Sequence, residues 1–346
     1  MPQISLIAPV YCMEQYLDQF LNSVKQQTFQ DYEVILVDDG SKDKSPEILD
    51  RYAEAEQRAK VIHKENGGVC TARNTGLDQA TGDYVYIVDS DDWLEPTALE
   101  VLWNEVERTG ADVVYGRNVA ETPSGAVVHK LFPSSFFTRN RSAINEIQCA
   151  LNNNYRIKSE CDEFQWINCL GGPPWRGMFR RSIIEEHGIR YNEKLRQLGE
   201  DILFWQNIFE HVNSYAYIDE TIYHYRKTNA SLSHGYKENL LEIYRKVFEE
   251  EEKFLNEKRK GREHVEAFYF RVILYIRQAM QFYFRNDKNP RSEKEAYAEF
   301  CNLLRTEPYR SAVRKVHVGK LISKKRRAEI LLLRYGQNRL YWNRFK

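Results

Sequence analysis

The chain has 346 residues and a formal net charge of +0; 42% of its residues are hydrophobic and 29% are charged. This composition is typical of a soluble globular protein with one large domain or two ordinary ones. No apolar run approaches the roughly 20 residues that a membrane-spanning helix needs, and no signal peptide is visible, so we expect a cytoplasmic protein.

The six cysteines lie far apart in the sequence, and none forms a Cys-x-x-Cys pair. We therefore expect no zinc site and reduced thiols. They are Cys12, Cys70, Cys149, Cys161, Cys169 and Cys301.

The first third of the chain alternates apolar, strand-like runs with segments of helical spacing. Helices are predicted between the strands, one of them reaching about Ala59. Strands that alternate with helices of 10–15 residues predict an α/β fold with a parallel sheet and helices on both faces. The predicted strands are residues 4–10, 33–37, 61–63, 84–88 and 112–115.

A polar cluster follows four of these apolar runs. In open α/β sheets, ligands bind at the carboxyl ends of the strands. Four clusters on one rim therefore predict a binding site. The clusters are Pro9-Val10-Tyr11, Asp38-Asp39-Gly40-Ser41, Lys64-Glu65-Asn66-Gly67-Gly68 and Asp89-Ser90-Asp91-Asp92.

The last cluster places three carboxylates within four positions. Like charges this close resist ionising together. A divalent cation resolves the conflict, and Mg²⁺ or Mn²⁺ prefers such oxygen ligands. The alternative is an acidic turn that caps the next helix, because Asp is a favoured N-cap. We expect Asp91 to hold the metal and Asp92 to cap a helix that begins near Glu95.

The same rim offers groups that recognise a nucleotide. Asp38 and Asp39 can accept a hydrogen bond from a base or a ribose hydroxyl, and Arg73 can present a planar fork to a base edge or a phosphate. Neither a P-loop motif nor a Gly-x-Gly-x-x-Gly motif is present. The rim therefore fits a nucleoside diphosphate bridged by a cation.

Transfer of a group to an acceptor hydroxyl also needs a general base from a separate segment. Asp201, in Gly199-Glu200-Asp201 before an amphipathic helix, is the best candidate; its alternative role is the N-cap of that helix. His224 and Arg226 form a second cluster, with Ser231 and Ser233 close behind, which can close over a diphosphate.

The alternation is lost between residues 117 and about 170, where residues 123–125 predict a hairpin tip and residues 144–151 a short helix. Short strands are predicted at residues 215–218 and 222–226. From about Gly235 the pattern is helical, with stripes of apolar residues that indicate core packing.

Residues 311–346 carry eleven Lys or Arg and one acidic residue, Glu329. Basic residues interleaved with aromatics and leucines fit an interfacial membrane helix. Nucleic acid is the competing anion, and an ordinary solvated last helix is the alternative. We expect contact with an anionic membrane surface at its inner face and no nucleic-acid partner.

Several motifs occur together in the first 230 residues, and in combination they resemble inverting family 2 glycosyltransferases of the GT-A fold, of the bacterial surface-polysaccharide kind. The resemblance covers about residues 3–230. The motifs are Ala8-Pro9-Val10-Tyr11 with Glu14 and Tyr16-Leu17, Val37-Asp38-Asp39-Gly40-Ser41 with Asp43 and Ser45, Asn66-Gly67-Gly68 with Ala72-Arg73-Asn74-Thr75-Gly76, Asp89-Ser90-Asp91-Asp92, Gly199-Glu200-Asp201 and Tyr223-His224-Tyr225-Arg226.

The resemblance implies a role for each of these positions. Asp39 would face the base, Asp91 would hold Mn²⁺ or Mg²⁺, and Asp201 would deprotonate the acceptor hydroxyl, which attacks the anomeric carbon with inversion. His224 and Arg226 would join the metal or the diphosphate. The nucleotide-binding residues would be Pro9, Tyr11, Glu14, Asp38, Asp39, Asn66, Arg73, Asp89 and Ser90.

The resemblance also implies partners: a nucleotide-sugar donor, most simply UDP-linked, and a glycan or lipid-linked glycan acceptor. It implies a GT-A domain over residues 1–230, with a nucleotide-binding half (1–117) and an acceptor-binding half (118–230), followed by a helical region over 235–346. Cys12 stands where the family usually has Asn, which weakens any side-chain hydrogen bond there.

Two other classes compete with this interpretation. A metal-dependent nucleotidyltransferase also uses acidic sites on α/β sheets, but the first predicted strand is not followed by the basic, Gly-rich signature it would need. A non-catalytic nucleotide-sugar-binding protein would be favoured by loss of Asp91 or Asp201, and both are present.

Overall fold

The computed structural model describes residues 2–152, 157–168, 172–195, 198–227 and 235–345. Ser231 and Ser233 of the second predicted cluster, and Cys169, lie outside the described residues.

The chain divides into two compact units. A boundary near residue 230 was expected, and one unit ends at Thr228. Residues 146–168, which are predicted to lie in the first domain, group with the C-terminal helices instead. The first unit is Met1–Asn145 with Gly172–Thr228, and the second is Glu146–Gly171 with Asn229–Lys346.

Twelve strands occur in the described residues, ten of them in one mixed sheet of the first unit. They are β1 (Ile4–Val10), β2 (Tyr32–Asp38), β3 (Ala59–His63), β4 (Tyr84–Ile87), β5 (Trp93–Leu94), β6 (Val113–Thr122), β7 (Gly125–His129), β8 (Phe136–Thr138), β9 (Ile157–Lys158), β10 (Trp166–Ile167), β11 (Gly177–Arg180) and β12 (Tyr215–Arg226).

Thirteen α-helices occur in the same described ranges. They are α1 (Leu17–Lys25), α2 (Ser45–Ala55), α3 (Val69–Gln79), α4 (Ala98–Thr109), α5 (Arg141–Leu151), α6 (Arg181–Glu186), α7 (Glu200–Phe209), α8 (Leu240–Glu257), α9 (Arg262–Ala279), α10 (Glu293–Leu303), α11 (Tyr309–Lys315), α12 (Lys324–Arg334) and α13 (Asn338–Trp342).

The N-terminal half of the sheet is parallel, as predicted. Its strands lie in the order β3-β2-β1-β4, and Ile7 of β1 is paired with Ile35 of β2 and Ile87 of β4. Beyond β4, the antiparallel strand β11 precedes β6, and β12 runs parallel to β6. The carboxyl ends of the four parallel strands therefore share one rim.

Strand β1 lies between β2 and β4 and is buried on both faces. Ile4, Leu6 and Ile7 are fully buried, because helices cover both faces of a parallel sheet. Helix α3 approaches β1 closely at Gly76, where an added Cβ would lie 2.3 Å from Cγ2 of Ile7. Glycine at this position lets the helix that carries Arg73 pack directly on the sheet.

Some predicted elements have different bounds. The helix expected to reach Ala59 ends at Ala55, and Ala59 begins β3. The two short strands expected at residues 215–218 and 222–226 form one strand, β12, with register shifts between Tyr217 and Tyr223. The predicted hairpin tip is confirmed, since β6 ends at Thr122 and β7 begins at Gly125.

In the described part of the second unit, the regular elements are helices apart from the two-stranded ladder of β9 and β10. The predicted apolar stripe of α8 is buried, including Tyr244 and Phe248. The tail packs inward as well: Ile330 and Trp342 are 2% and 0% exposed. None of the described helices combines the length and apolarity that crossing a membrane requires.

Candidate active site

The carboxyl ends of β1, β2 and β4 meet at one rim, as the sequence predicts. The backbone N–H of Asp39 donates to the carbonyl oxygen of Val10 at 2.8 Å. The Ser90 hydroxyl donates to the carbonyl oxygen of Pro9 at 2.8 Å. These bonds fasten the motif after β2 and the motif after β4 to opposite sides of the end of β1.

Asp39 orders the loop that follows β3. Its Oδ1 accepts the Gly67 backbone N–H at 2.9 Å and the Lys64 Nζ at 2.7 Å, and its Oδ2 accepts the Gly68 N–H at 2.7 Å. The amide of Asn66 donates to the Asp39 carbonyl oxygen. Asp39 is only 3% exposed, so its contact with a base stays a prediction.

Asp38 shapes the turn from inside. Its Oδ1 accepts the Ser41 N–H at 3.0 Å, and its Oδ2 lies 2.9 Å from Nδ1 of His63. The other ring nitrogen of His63 lies 3.0 Å from Asp50. Hydrogen bonds to these two carboxylates raise the pKa of His63. Asp38 is buried and binds Ser41 and His63, so its contact with a nucleotide stays a prediction.

The segment after β1 carries the remaining predicted nucleotide contacts. Tyr11 is 47% exposed, and its ring is therefore accessible at the rim. Glu14 is exposed, and its carboxylate accepts the Lys44 N–H at 2.9 Å. Cys12 has a φ of 54°, a left-handed conformation that Asn adopts more readily than most residues.

The acidic motif after β4 holds two carboxyl groups whose pKa values are raised by different amounts. Burial, and then the charge of Asp89, raise the pKa of Asp91 to about 6. Burial, and then the charges of Asp91 and Asp89, raise the pKa of Asp92 to about 9. Burial and neighbouring negative charge therefore make Asp91 and Asp92 harder to ionise, as the sequence predicts.

The cap predicted for Asp92 is wrong. Helix α4 begins at Ala98 with Thr97 in the N-cap position. Asp92 is fully buried and binds β12 instead: it accepts the Tyr223 hydroxyl at 2.7 Å and the Arg226 N–H at 2.6 Å. Asp92 thus fixes the acidic motif to the sheet.

Arg73 connects the acidic motif after β4 with helix α7. Its guanidinium donates to Oδ1 of Asp201 at 2.5 Å and to Oδ1 of Asp89 at 3.0 Å, and it lies 3.8 Å from Glu200. Its side chain is 4% exposed and lies over the ring of Tyr191, 5.1 Å from the centroid. The guanidinium of Arg73 thus lies between the carboxylates of Asp201 and Asp89, and its contact with a nucleoside stays a prediction.

Asp201 lies in the first turn of α7, whose N-cap is Gly199, so its alternative role as the cap is wrong. Its side chain is 24% exposed. Burial raises the pKa of Asp201, while the Arg73 guanidinium partly opposes that rise. The carboxylate is therefore more basic than an exposed Asp and is held in place by a fixed cation.

His224 and Arg226 have protein partners in this conformation. The two ring nitrogens of His224 lie 2.8 Å from Glu121 and 2.8 Å from Glu95, and the ring stacks on Trp93. The Nε of Arg226 donates to the carbonyl oxygen of Asp91 at 2.8 Å. Arg226 therefore adjoins the acidic motif, whereas contact of His224 with a metal or a diphosphate stays a prediction.

The sequence did not predict two aromatic residues that support site residues far away in the chain. Tyr191 supports Arg73 and is fastened by its backbone N–H, which donates to Asn74 at 2.8 Å. Trp175 stacks on Tyr223 with a centroid distance of 4.7 Å. Tyr191 is 118 positions from Arg73, and Trp175 is 48 positions from Tyr223, so no local spacing could have revealed them.

A GT-A-type sheet with carboxylates at the rim and a further carboxylate from a separate segment is the architecture of a glycosyltransferase. The family model for "Glycosyl transferase family 2" matches residues 5–188. The chain belongs to this family, which excludes the nucleotidyltransferase alternative.

Two similar proteins come from Bacillus subtilis (strain 168). The putative glycosyltransferase EpsH is 31% identical over 265 residues, which cover 76% of this chain and 72% of EpsH. The uncharacterized glycosyltransferase EpsJ is 30% identical over 256 residues, which cover 74% of this chain and 70% of EpsJ.

A solved structure, residues 1–349 of S. aureus TarS, has a similar fold with a TM-score of 0.63 at 21% identity. The match covers 99% of this chain and 89% of that chain. The same TarS fragment has been solved in complex with UDP-GlcNAc, again with a TM-score of 0.63.

Proposed function

We propose that this glycosyltransferase moves a sugar, with inversion, from a UDP-sugar to a hydroxyl of a glycan or lipid-linked glycan during polysaccharide biosynthesis. The observation that carries the proposal is the Arg73 bridge, which holds Asp201 and Asp89 on one guanidinium. The likeness in fold to TarS, which binds UDP-GlcNAc, supports a uridine donor.

In the proposed reaction, Asp201 is the general base. Arg73 binds Oδ1 of Asp201, and Oδ2 takes the proton of the acceptor hydroxyl. The hydroxyl oxygen forms a bond to the anomeric carbon from the side opposite the nucleotide, and the bond from that carbon to the diphosphate oxygen breaks. The electron pair leaves with the nucleoside diphosphate, and the anomeric configuration is inverted.

Arg73 has a second part in this proposal. A cation fixed 2.5 Å from Asp201 and 3.0 Å from Asp89 positions the base beside the ribose or diphosphate neighbour. Because the guanidinium is planar and carries several donors, it sets the distance between the two carboxylates. Acceptor and donor are then aligned before reaction.

A divalent cation, Mn²⁺ or Mg²⁺, fits the acidic motif, and Asp91 is the residue that would hold it. The raised pKa of Asp91 reflects burial beside the charge of Asp89, and a cation would favour the ionised form. No group of three metal-binding side chains forms among the described residues, so donor oxygens and water would complete the shell. When bound, the cation supplies positive charge to the leaving diphosphate.

Contact with an anionic membrane surface through residues 311–346 is also part of the proposal. Exposed cations on this segment, among them Arg314, Lys315 and Lys324, support it. Because Ile330 and Trp342 are buried in the second unit, the contact would be electrostatic rather than an insertion of apolar side chains.

The test is a screen of nucleotide sugars with a glycan acceptor, with Mn²⁺ or Mg²⁺ and with a chelator. We expect transfer from a UDP-sugar that stops with the chelator and resumes with added metal. The anomeric configuration of the product, read by NMR, should be opposite to that of the donor. Retention of configuration would contradict the base role of Asp201, and metal-independent transfer would contradict the metal role of Asp91.

A further inference from the structure

The second unit contains a cavity of about 650 Å³ that is lined largely by cationic side chains. It lies beside the end of α9, where a π-helical segment, Met280–Phe284, continues the helix. Three lining residues recur at every fourth position across this junction, and they are Arg277, Gln281 and Arg285. This spacing keeps their side chains on one face of the continuous helical segment.

The cavity has more positive than negative charge. Its cations are Arg277, Arg285, Lys325 and Arg344, and its single carboxylate is Glu329. Glu329 is 6% exposed. It already binds Arg326, a residue outside the lining, with the Nη1 atom of Arg326 2.8 Å from its Oε2.

The remaining ion pairs of the lining are long. The Nε atoms of Arg277 and Arg344 are each 4.0 Å from Glu329, and Nη1 of Arg285 is 3.6 Å from Glu293. Pairs at these distances neutralise charge only partly, because Coulomb attraction falls with distance and no hydrogen bond forms.

Two buried donors in the lining lack a partner. The Nε atoms of Arg277 and Arg285 are buried and have no hydrogen-bond partner among the described residues. Their guanidinium planes lie near aromatic rings, 5.9 Å from the Phe345 centroid and 5.3 Å from the Trp342 centroid. Buried donors are normally satisfied. The side chains of Arg277 and Arg285 are 27% and 19% exposed and line the cavity, so an anion bound there would offset their charge.

We propose that this cavity binds a phosphate or diphosphate group. The guanidinium fork matches the oxygens of phosphate in geometry and charge. Several cations around one space suit a ligand with more than one negative charge better than a single carboxylate. None of the lining residues belongs to the motifs of the rim, and the proposal does not depend on the transfer reaction. The group belongs either to a small anion in solution or to a lipid headgroup.

The test uses the full chain with the double substitution Arg277→Gln and Arg285→Gln. The matched control, Arg245→Gln with Lys246→Gln, removes two exposed charges from α8 of the same unit. Inorganic pyrophosphate is titrated calorimetrically with a chelator present, so that binding with a metal at the acidic motif does not contribute. We expect the cavity variant to bind at least about tenfold more weakly, and the control to bind as the wild type does.

A second arm identifies the source of the phosphate. Flotation is measured with vesicles of phosphatidylcholine alone and with added phosphatidic acid. If the wild type binds pyrophosphate and the cavity variant does not, the ligand is assigned as a small anion. Cavity-dependent binding to phosphatidic acid vesicles alone assigns a lipid headgroup.

The proposal would be overturned if the cavity variant and the control lost the same amount of affinity. It would also be overturned if the wild type bound neither pyrophosphate nor phosphatidic acid vesicles. If the arginine variant fails to fold by circular dichroism, Lys325→Gln with Arg344→Gln replaces it. Both of these side chains are exposed, and the same weakening of binding is expected.

Discussion

Asp92 and Asp201 are two shielded carboxyl groups whose partners give them different tasks. Asp92 accepts hydrogen bonds from the Tyr223 hydroxyl and the Arg226 N–H, and burial raises its pKa to about 9. Asp201 binds the permanent cation of Arg73, which favours its charged form. Burial raises the pKa of Asp201 as well, so the two groups differ in their partners. Asp92 binds donors of β12, and we assign it a structural role, whereas Asp201 binds a cation and is the proposed base.

The substitution Asp92→Asn tests this assignment through stability. The pKa of Asp92 is raised on folding, from 3.8 to about 9, so the folded state holds the proton more tightly. Stability from this group is therefore full below about pH 4 and is lost as pH rises toward 9. An amide does not titrate, so the wild type should lose stability relative to Asp92→Asn between pH 5 and 9, which urea unfolding measures.

The control is Asp83→Asn, at the exposed start of the strand that ends near Asp92. Its stability difference from the wild type should be nearly constant over the same pH range. A constant difference for Asp92→Asn as well would show that Asp92 is ionised in the folded protein.

At this scale the sequence predicts which side chains gather at the rim, because each follows directly after a strand. It does not predict their partners. Arg73 and Asp201 are 128 positions apart, and His224 is 103 positions from Glu121. Such pairs depend on the path of the whole chain, so the roles of Arg73 and Asp92 needed the structure.

Helix α3 and strand β1 form the contact that brings Arg73 to the rim. Gly76→Ala would place a Cβ 2.3 Å from Cγ2 of Ile7. In an open helix this change stabilises, but here overpacking should cost about 1–3 kcal/mol in the free energy of unfolding. Denaturant unfolding measures the change.

The control is a double-mutant cycle with Ile7→Ala, which removes the clashing methyl. The double variant should lose less stability than the two single variants together. Additive losses would mean that the contact with Ile7 does not cause the cost of Gly76→Ala.

The sequence predicts elements where the apolar pattern is strong and local. Residues 4–10 and 84–88 are predicted within one residue of β1 and β4. The sequence predicts two strands where the structure has the single strand β12, because Asp219 and Glu220 interrupt its apolar residues. In the structure, pairing with β6 carries the strand across that polar pair, with shifts in register. Tertiary pairing therefore overrides the local pattern.

On the scale of the whole molecule, the cationic side chains of the basic tail, residues 311–346, fall into two groups: those that bind protein partners and those that are exposed. Arg326 and Arg339 bind Glu329 and Glu293, and Arg334 donates to the carbonyl oxygens of Val313 and Val316. Exposed cations such as Lys324 remain for an external surface. Deleting residues 311–346 would remove buried Trp342, so charge substitutions test the tail better than truncation.

The triple substitution Arg314→Gln, Lys315→Gln and Lys324→Gln should weaken flotation with anionic vesicles by about 1 kcal/mol for each lost cation. The control removes three exposed cations of α8 (Arg245, Lys246 and Lys253). Raising the salt concentration should abolish binding of the wild type. Equal flotation of the wild type and the tail variant would rule out membrane contact through these residues.

Asp201 is the proposed base of nucleotide-sugar transfer, and the substitution Asp201→Asn tests this role most directly. The amide keeps the shape of the side chain but cannot take a proton. Transfer should fall by about 10²- to 10⁴-fold, while calorimetric affinity for the UDP-sugar with Mn²⁺ stays within about threefold of the wild type. Asp83→Asn should retain both properties. Transfer at the wild-type rate by Asp201→Asn would contradict the claim.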